Sequence, residues 1–307
     1  MFQFWVSRWH MTVVDDQIGL TLARIVLATD FSPASNRATG YARDLARRFS
    51  SSLTLAHVID LSVSTRSEEA LVGTPLDEMR HASTENQERL LNDMTSAGIR
   101  TTAHTLEAHN PSAALVGLAK ELQADLIVAG TRARHGLSKA ILGSCAEGII
   151  RHANCPVLTV GPKAKIASGK GLSFRTIVFA TNFSSHAPME AGVALSFAQD
   201  SVAKIFLCHV MDFSIKGMSD SLGQKLKFEA ALERLGPRFR YDCYNPVCVV
   251  EDGAVAPQIL DLANKVKADL IVLGARPSSS WYPHLVEGTV GQVLMTANCP
   301  VMTICAG

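Results

Sequence analysis

The chain is written twice, and that duplication limits its fold more than any other feature. RIVLATDFS, from Arg24, returns as TIVFATNFS, from Thr176, and AHVID, ending at Asp60, returns as CHVMD, ending at Asp212. Asn182 follows Asp30 by 152 positions and His209 follows His57 by the same 152. ADLIVAG (Ala124 to Gly130) returns as ADLIVLG (Ala268 to Gly274) and ANCPV (Ala153 to Val157) returns unchanged at Ala297, both 144 positions later, so the second copy is eight residues shorter in its middle. Solenoid repeats run to roughly 20–50 residues. A period this long is a duplicated domain, so any functional site is to be sought twice and compared.

Length agrees, since 307 residues at roughly 150 per domain make two domains, each large enough for one core. The expected boundaries are an N-terminal extension at 1–23, a first domain at 24–161, a linker at 162–174 and a second domain at 175–307. The net charge of +1 argues against a nucleic-acid or membrane-surface binder, both of which need a basic excess. No apolar run approaches the roughly 20 residues of a membrane span. MFQFWVSRWHM at the start lacks the apolar stretch and small-residue cleavage site of a signal peptide, and reads as a disordered extension or as the product of a start upstream of Met11. Seven cysteines in no pairing pattern suggest a reducing, cytoplasmic setting.

Within the first copy, residues 24–29 form an apolar run, as in a strand buried on both faces. Ser32-Pro33 then supplies an N-cap and a proline at the first helical position. Strands are expected at 53–59, 99–106, 125–129 and 157–160, and helices at 75–97, 111–122 and 144–152. Strands alternating with helices imply right-handed crossovers and a doubly wound, mostly parallel sheet. Residues 161–173, rich in Gly, Lys and Ser with little periodicity, read as the linker.

Ligands of open α/β sheets bind beyond the carboxyl ends of the strands, where strand order reverses. Asp30 stands at such an end. Its carboxylate can accept hydrogen bonds from a ribose or base, or it can simply cap the turn into the next helix. Gly130 ends another strand, and Gly143-Ser144 begins a helix whose free N–H groups suit an anion. Arg132, Arg134, His135 and Lys139 lie between, as phosphate ligands or as solvated loop residues. His57, His209, Cys155 and Cys299 read as packed strand-end or core residues, and Glu107 to Asn110 as a loop ending in a helix cap. No zinc spacing, glycine-x-serine-x-glycine elbow or Walker lysine-serine pair occurs.

IVLATDFS, AHVID and the stretch from ADLIVAG to CPVLTV resemble the universal stress protein family over both copies. The most diagnostic part is the glycine, two residues, glycine, nine residues, glycine-serine frame before the Cys-Pro-Val strand. The resemblance implies, in each domain, a five-stranded parallel sheet of order 3-2-1-4-5 with helices on both faces. It also implies, for some members, bound ATP or a related adenine nucleotide, with or without Mg²⁺. Carried over, it places Asp30 at the ribose or adenine with Ala28 and Thr29 beside it, and Val58 against the base. Gly130, Arg132 and Ala133 then line the triphosphate, and Gly143, Ser144, Cys145 and Ala146 donate to it. Ala133 departs from the second glycine of the frame. The second copy departs further, with Asn182 for Asp30, Pro277 for that glycine and Glu287 in place of Gly143, which implies a degenerate site. The family also implies antiparallel pairing of the last strands, here 157–160 with 301–304, in an intramolecular pseudo-dimer, with further homodimerisation open. Binding without efficient turnover is expected, because no base or second metal-holding carboxylate stands out near the loop. Two alternatives are a nucleotide-free scaffold acting through dimer contacts and an adenine-nucleotide hydrolase. DFSPAS lacks the serine-glycine-glycine loop that the hydrolase would need.

Overall fold

A computed structural model describes residues 12–14, 17–19, 22–64, 74–131, 142–167, 169, 171–211, 221–235, 246–275 and 288–305. The first half contains strands β3 (Arg24–Ala28), β4 (Ser52–Asp60), β5 (Thr101–Ala108), β6 (Leu126–Gly130) and β7 (Val157–Val160). Its helices are α1 (Pro33–Phe49), α2 (Leu61–Ser64), α3 (Thr74–Ser96), α4 (Pro111–Glu121) and α5 (Ser144–His152). The second half repeats the order with β8 (Thr176–Ala180), α6 (Ala187–Ser201), β9 (Lys204–Met211), α7 (Ser221–Leu235), β10 (Val247–Asp252), α8 (Val255–Lys265), β11 (Leu270–Ala275), α9 (Thr289–Thr296) and β12 (Val301–Cys305). The shorter second copy has a shorter helix at the place of α3, 15 residues in α7 against 23.

All ten of these strands join one sheet of order β10-β9-β8-β11-β12-β7-β6-β3-β4-β5. Each half contributes its strands in parallel, as the alternation of elements implies, and in its own order 3-2-1-4-5, as the resemblance implies. The sole antiparallel step in this sheet is β7 against β12, with Val301 opposite Thr159, Met302 opposite Leu158 and Thr303 opposite Val157. These are the two segments that the resemblance brings together. Both are buried up to the half-buried Cys305, as an edge this apolar must be to escape aggregation.

Alternation along the strands divides the core. Ile25 and Leu27 face one apolar layer, with α1, α3, α6 and α7, while Val26 and Ala28 face the other, with α4, α5, α8 and α9. Both layers run across the two halves.

Two expectations need correction. The N-terminal extension is not without structure, because β1 (Thr12–Val14) and β2 (Gln17–Gly19) pair antiparallel and β2 lies against α6 of the second half. Their β-branched Thr12, Val13, Val14 and Ile18, on either side of a two-residue Asp15-Asp16 connection, are ordinary hairpin material. The linker, expected only as a connection, is packed as well. Ala164 and Phe174 are buried, and the Phe174 ring meets Phe197 edge-on at 6.1 Å. The Tyr41 hydroxyl donates to the Lys165 carbonyl at 2.8 Å, and the Lys165 N–H donates to the Asn298 carbonyl at 3.2 Å. The few apolar side chains in this polar segment are spaced to reach the core, and composition alone hides that.

Burial raises the Tyr41 hydroxyl to about 12, so it donates at every pH at which the protein is handled. Tyr41→Phe should cost about 1 kcal/mol, the usual worth of one such hydrogen bond, in urea unfolding. An unchanged midpoint would show that the linker is held by its apolar residues alone.

Candidate functional site

The carboxyl ends of β3 and β6 are the strand-order reversal of the first half, and Asp30 follows one of them directly. The turn after β3 is tight. Phe31 takes φ of 58°, in the left-handed region that a bulky side chain avoids. Local bonds hold it there: the Thr29 hydroxyl accepts from Phe31 N–H at 3.1 Å, and Asp30 Oδ1 accepts from Ser32 N–H at 3.0 Å. His57 Nδ1 donates to the Thr29 carbonyl at 2.8 Å, its Nε2 meets Ser83 Oγ at 3.1 Å, and its ring lies 4.7 Å from that of Phe31. The histidine is therefore a satisfied packing residue, as the sequence suggested.

The second half repeats the turn almost bond for bond. Phe183 has φ of 55°, Thr181 accepts from its N–H at 3.0 Å, Asn182 Oδ1 accepts from Ser184 N–H at 3.0 Å, and His209 donates to the Thr181 carbonyl at 2.9 Å. The Asn182 amide oxygen thus does the capping that the Asp30 carboxylate does. Capping needs an oxygen and no charge, so this bond alone does not distinguish the exposed Asp30 from Asn182.

The two glycines of the phosphate frame divide in the same way. A Cβ on Gly130 would run into the Ala34 carbonyl and the Ser35 nitrogen, so the first turn of α1 packs on this strand end only because it is glycine. Gly143 has an ordinary φ of −61°, and a Cβ there meets no atom of the described residues within 4 Å. Packing does not demand a glycine at 143. What its missing side chain does is leave the start of α5 approachable. Ser32 caps α1 and Asn110 caps α4 through their side chains, whereas among the described residues no side chain caps α5, as none caps α9 behind Gly288 in the second half; helix starts of this kind suit an anion. Thr131, buried directly after Gly130, leaves its hydroxyl without a partner among the described residues.

Ser144 is exposed, Cys145 half-buried and Ala146 buried in the first turn of α5. Burial pushes the Cys145 thiol up to about 11, helped by the carboxylates of Asp30 and Asp60. These carboxylates at the ends of β3 and β4 are near enough to the start of α5 to act on the thiol. That high value makes Cys145 a neutral wall residue and no nucleophile. Ala28 and Thr29 are buried, and Val58 packs half-buried at the β4 end. Arg132 and Ala133 lie outside the described residues, as do Arg134, His135 and Lys139, and Pro277 and Glu287 in the second half. Asp60 was not singled out from the sequence. The repetition of its position as Asp212 at the end of CHVMD was the available signal. Glu107 is engaged by Arg80 at 2.7 and 3.0 Å and Asn110 caps α4, so that loop is structural.

A second residue missed by sequence reasoning is Glu190, 4% exposed in the first turn of α6. Its first-half counterpart, 152 positions earlier, is the fully buried Ala38. Its carboxyl group fills the space over Gly274, where in the first half the backbone of α1 covers Gly130. Burial raises Glu190 from 4.5 to about 6. The second crevice is thus floored by an acid.

Comparison with known proteins gives these features a context. The model of the universal stress protein family matches residues 21–161 and again 173–304. A protein of Staphylococcus haemolyticus assigned to the universal stress proteins is 34% identical over 142 residues, covering 46% of this chain and 86% of its own length. The crystal structure of a universal stress protein from Archaeoglobus fulgidus superposes with a TM-score of 0.70 at 19% identity, covering 92% of this chain and 98% of that one. A Pseudomonas aeruginosa structure assigned to the same group gives 0.60 at 17% identity, covering 92% and 93%. At such identities the two structures speak for the fold alone.

Two outcomes are expected. Gly130→Ala should destabilise the chain by about 2 kcal/mol, as overpacking against backbone does, while Gly143→Ala should change stability by under about 0.5 kcal/mol. Equal costs in urea unfolding would remove the distinction between the two glycines. Glu190→Gln tests the buried acid. Below about pH 4.5 the carboxyl is protonated in folded and unfolded chains alike. As pH rises to 6 and beyond, the unfolded chain ionises first and stability falls, by about 2 kcal/mol for a shift of this size. The variant should therefore be the more stable at pH 8, with the gain gone by pH 4, and a pH-independent difference would refute the assignment.

Proposed function

The chain belongs to the universal stress protein family, and we propose that its first half binds ATP or a related adenine nucleotide as a regulatory ligand, while the second half serves as structural partner. The observation that carries this reading is the start of α5: a helix N-terminus with no side-chain cap among the described residues, behind a glycine that none of them crowds. The strand-order reversal lies at the end of β3, where the exposed Asp30 carries a carboxylate and its counterpart Asn182 does not. Phosphate oxygens suit the one end and ribose hydroxyls the other. In the second half Asn182 lacks the charge and Glu190 adds a carboxyl beneath the crevice, which supports a single working site.

The bound nucleotide would supply phosphate charge, shared with Mg²⁺ held by its own oxygens and water. The residues at the crevice bind and orient. Asp60 is half-buried and its Oδ1 already accepts from Ser62 N–H and Oγ at 2.9 and 2.6 Å, and no described residue is placed as a base. The reading is therefore of a ligand that shifts a conformational population rather than of an efficient hydrolase. No helix among the described residues is long and apolar enough to cross a membrane, and the described cysteines are free thiols, in keeping with a cytoplasmic setting. The two halves would act as a pseudo-dimer through the β7–β12 seam.

Calorimetric titration with ATP and Mg²⁺ should saturate at one site per chain. Asp30→Asn keeps the capping oxygen, as Asn182 does, and should weaken binding about tenfold, near 1.4 kcal/mol, without loss of stability. Gly143→Glu should fold normally and abolish binding. Two equal sites would show that the second crevice works. No binding at millimolar nucleotide would favour the scaffold reading, in which the seam alone matters.

A further inference from the structure

The β7–β12 register fixes where the twofold relation between the halves runs. Leu158 lies opposite Met302, its own counterpart 144 positions later, with equal steps on either side, so the axis passes through this pair. A second pair of counterparts meets over the helical layer. Arg48 and Asp200 stand 152 positions apart, at the same place near the ends of α1 and α6, and Arg48 Nε donates to Asp200 Oδ2 at 2.7 Å. The same guanidinium donates to the Asp200 carbonyl at 2.8 Å and to the Leu172 carbonyl of the linker at 3.1 Å. Both side chains are about seven-tenths buried, at 29% and 28% exposure.

Counterparts that touch on a twofold axis are identical residues when a domain pairs with its own copy. Two first halves joined in this way would set Arg48 against Arg48, and two second halves Asp200 against Asp200. Both are like-charge contacts, partly removed from water, which cost more than exposed ones. Size is divided as unequally as charge. Phe49 packs on Phe197 with ring centres at 6.3 Å, yet the counterpart of Phe49 is Ser201 and that of Phe197 is Leu45. A pair of second halves would set Ser201 against Phe197 and lose the ring contact that Phe49 makes there.

We propose that Arg48 and Asp200 form a pairing code at the axis: they admit the other half of this chain, in the same molecule or in a second copy, and reject a half identical to themselves. Specificity of this kind rests on the repulsive alternatives as much as on the attractive pair. The code is independent of whether either crevice binds nucleotide.

Each single charge reversal recreates one self-pairing contact inside the intact chain. Arg48→Asp gives the acidic pair, Asp200→Arg the basic pair, and the two together restore opposite charges. Arg48→Gln with Asp200→Asn sets a neutral baseline, which keeps the comparison open if reversal disturbs folding. The readout is amide exchange at Leu158 and Met302 in the seam, against β4 and β9 far from it, in full-length protein at low salt. Each single reversal should speed exchange in the seam by about tenfold relative to the neutral pair while β4 and β9 keep their protection, and the double reversal should recover most of the loss. In 1 M salt, where charges are screened beyond roughly 3 Å, the differences should shrink. Single reversals as well protected as the neutral pair, or a double reversal no better than the worse single one, would overturn the proposal.

Discussion

Everything in this molecule depends on one antiparallel seam of three residue pairs, β7 against β12. A five-stranded doubly wound sheet ends in an edge at its fifth strand, and here both such strands are mostly apolar and buried up to the half-buried Cys305. Left open, either edge would recruit foreign strands. Closed on each other, they turn two sheets into one and let both apolar layers run across the two halves, one from α3 to α7 and the other from α4 to α8. Gly161 belongs to the same constraint. A Cβ there would strike the Leu294 carbonyl of the second half, so the exit from β7 can pass α9 only as glycine.

Duplication supplies an internal control that a single domain lacks. The turn after the first strand of each half is built from the same bonds, with a phenylalanine held at positive φ in both, although one copy has Asp and the other Asn. What both halves keep is what the turn needs, and what only the first half keeps requires another explanation. The comparison assigns the left-handed Phe31 and the His57 bond to folding. It works in reverse at Glu190, where the second half has accepted a buried acid that the first half, with Ala38, has no room to need.

The alternating strands and helices and the duplication were legible from periodicity and repetition, whereas the strand order and the seam came only through the family resemblance. RIVLA and LIVAG are apolar throughout, and the Ser32-Pro33 and Asn110-Pro111 starts mark helices by local chemistry alone. Other features depend on distance in space and were not legible. Nothing local distinguishes Gly130, which α1 presses upon, from Gly143, which the described residues leave open. The linker reads as a bare connection because its composition is polar, yet Phe174 and Ala164 reach the core and Tyr41 binds its backbone from 124 positions away. Asp60 and Glu190 were passed over because the first looks like a helix cap and the second like one exposed acid on a surface helix.

The pinned linker has a consequence for how the assembly responds to scarcity. Two free domains joined by three residue pairs would part as their concentration fell. Covalent linkage makes their meeting intramolecular, with an effective concentration on the order of millimolar for a short connection. Dilution cannot then separate the halves, and the sheet stays whole in a cell that holds only a few copies.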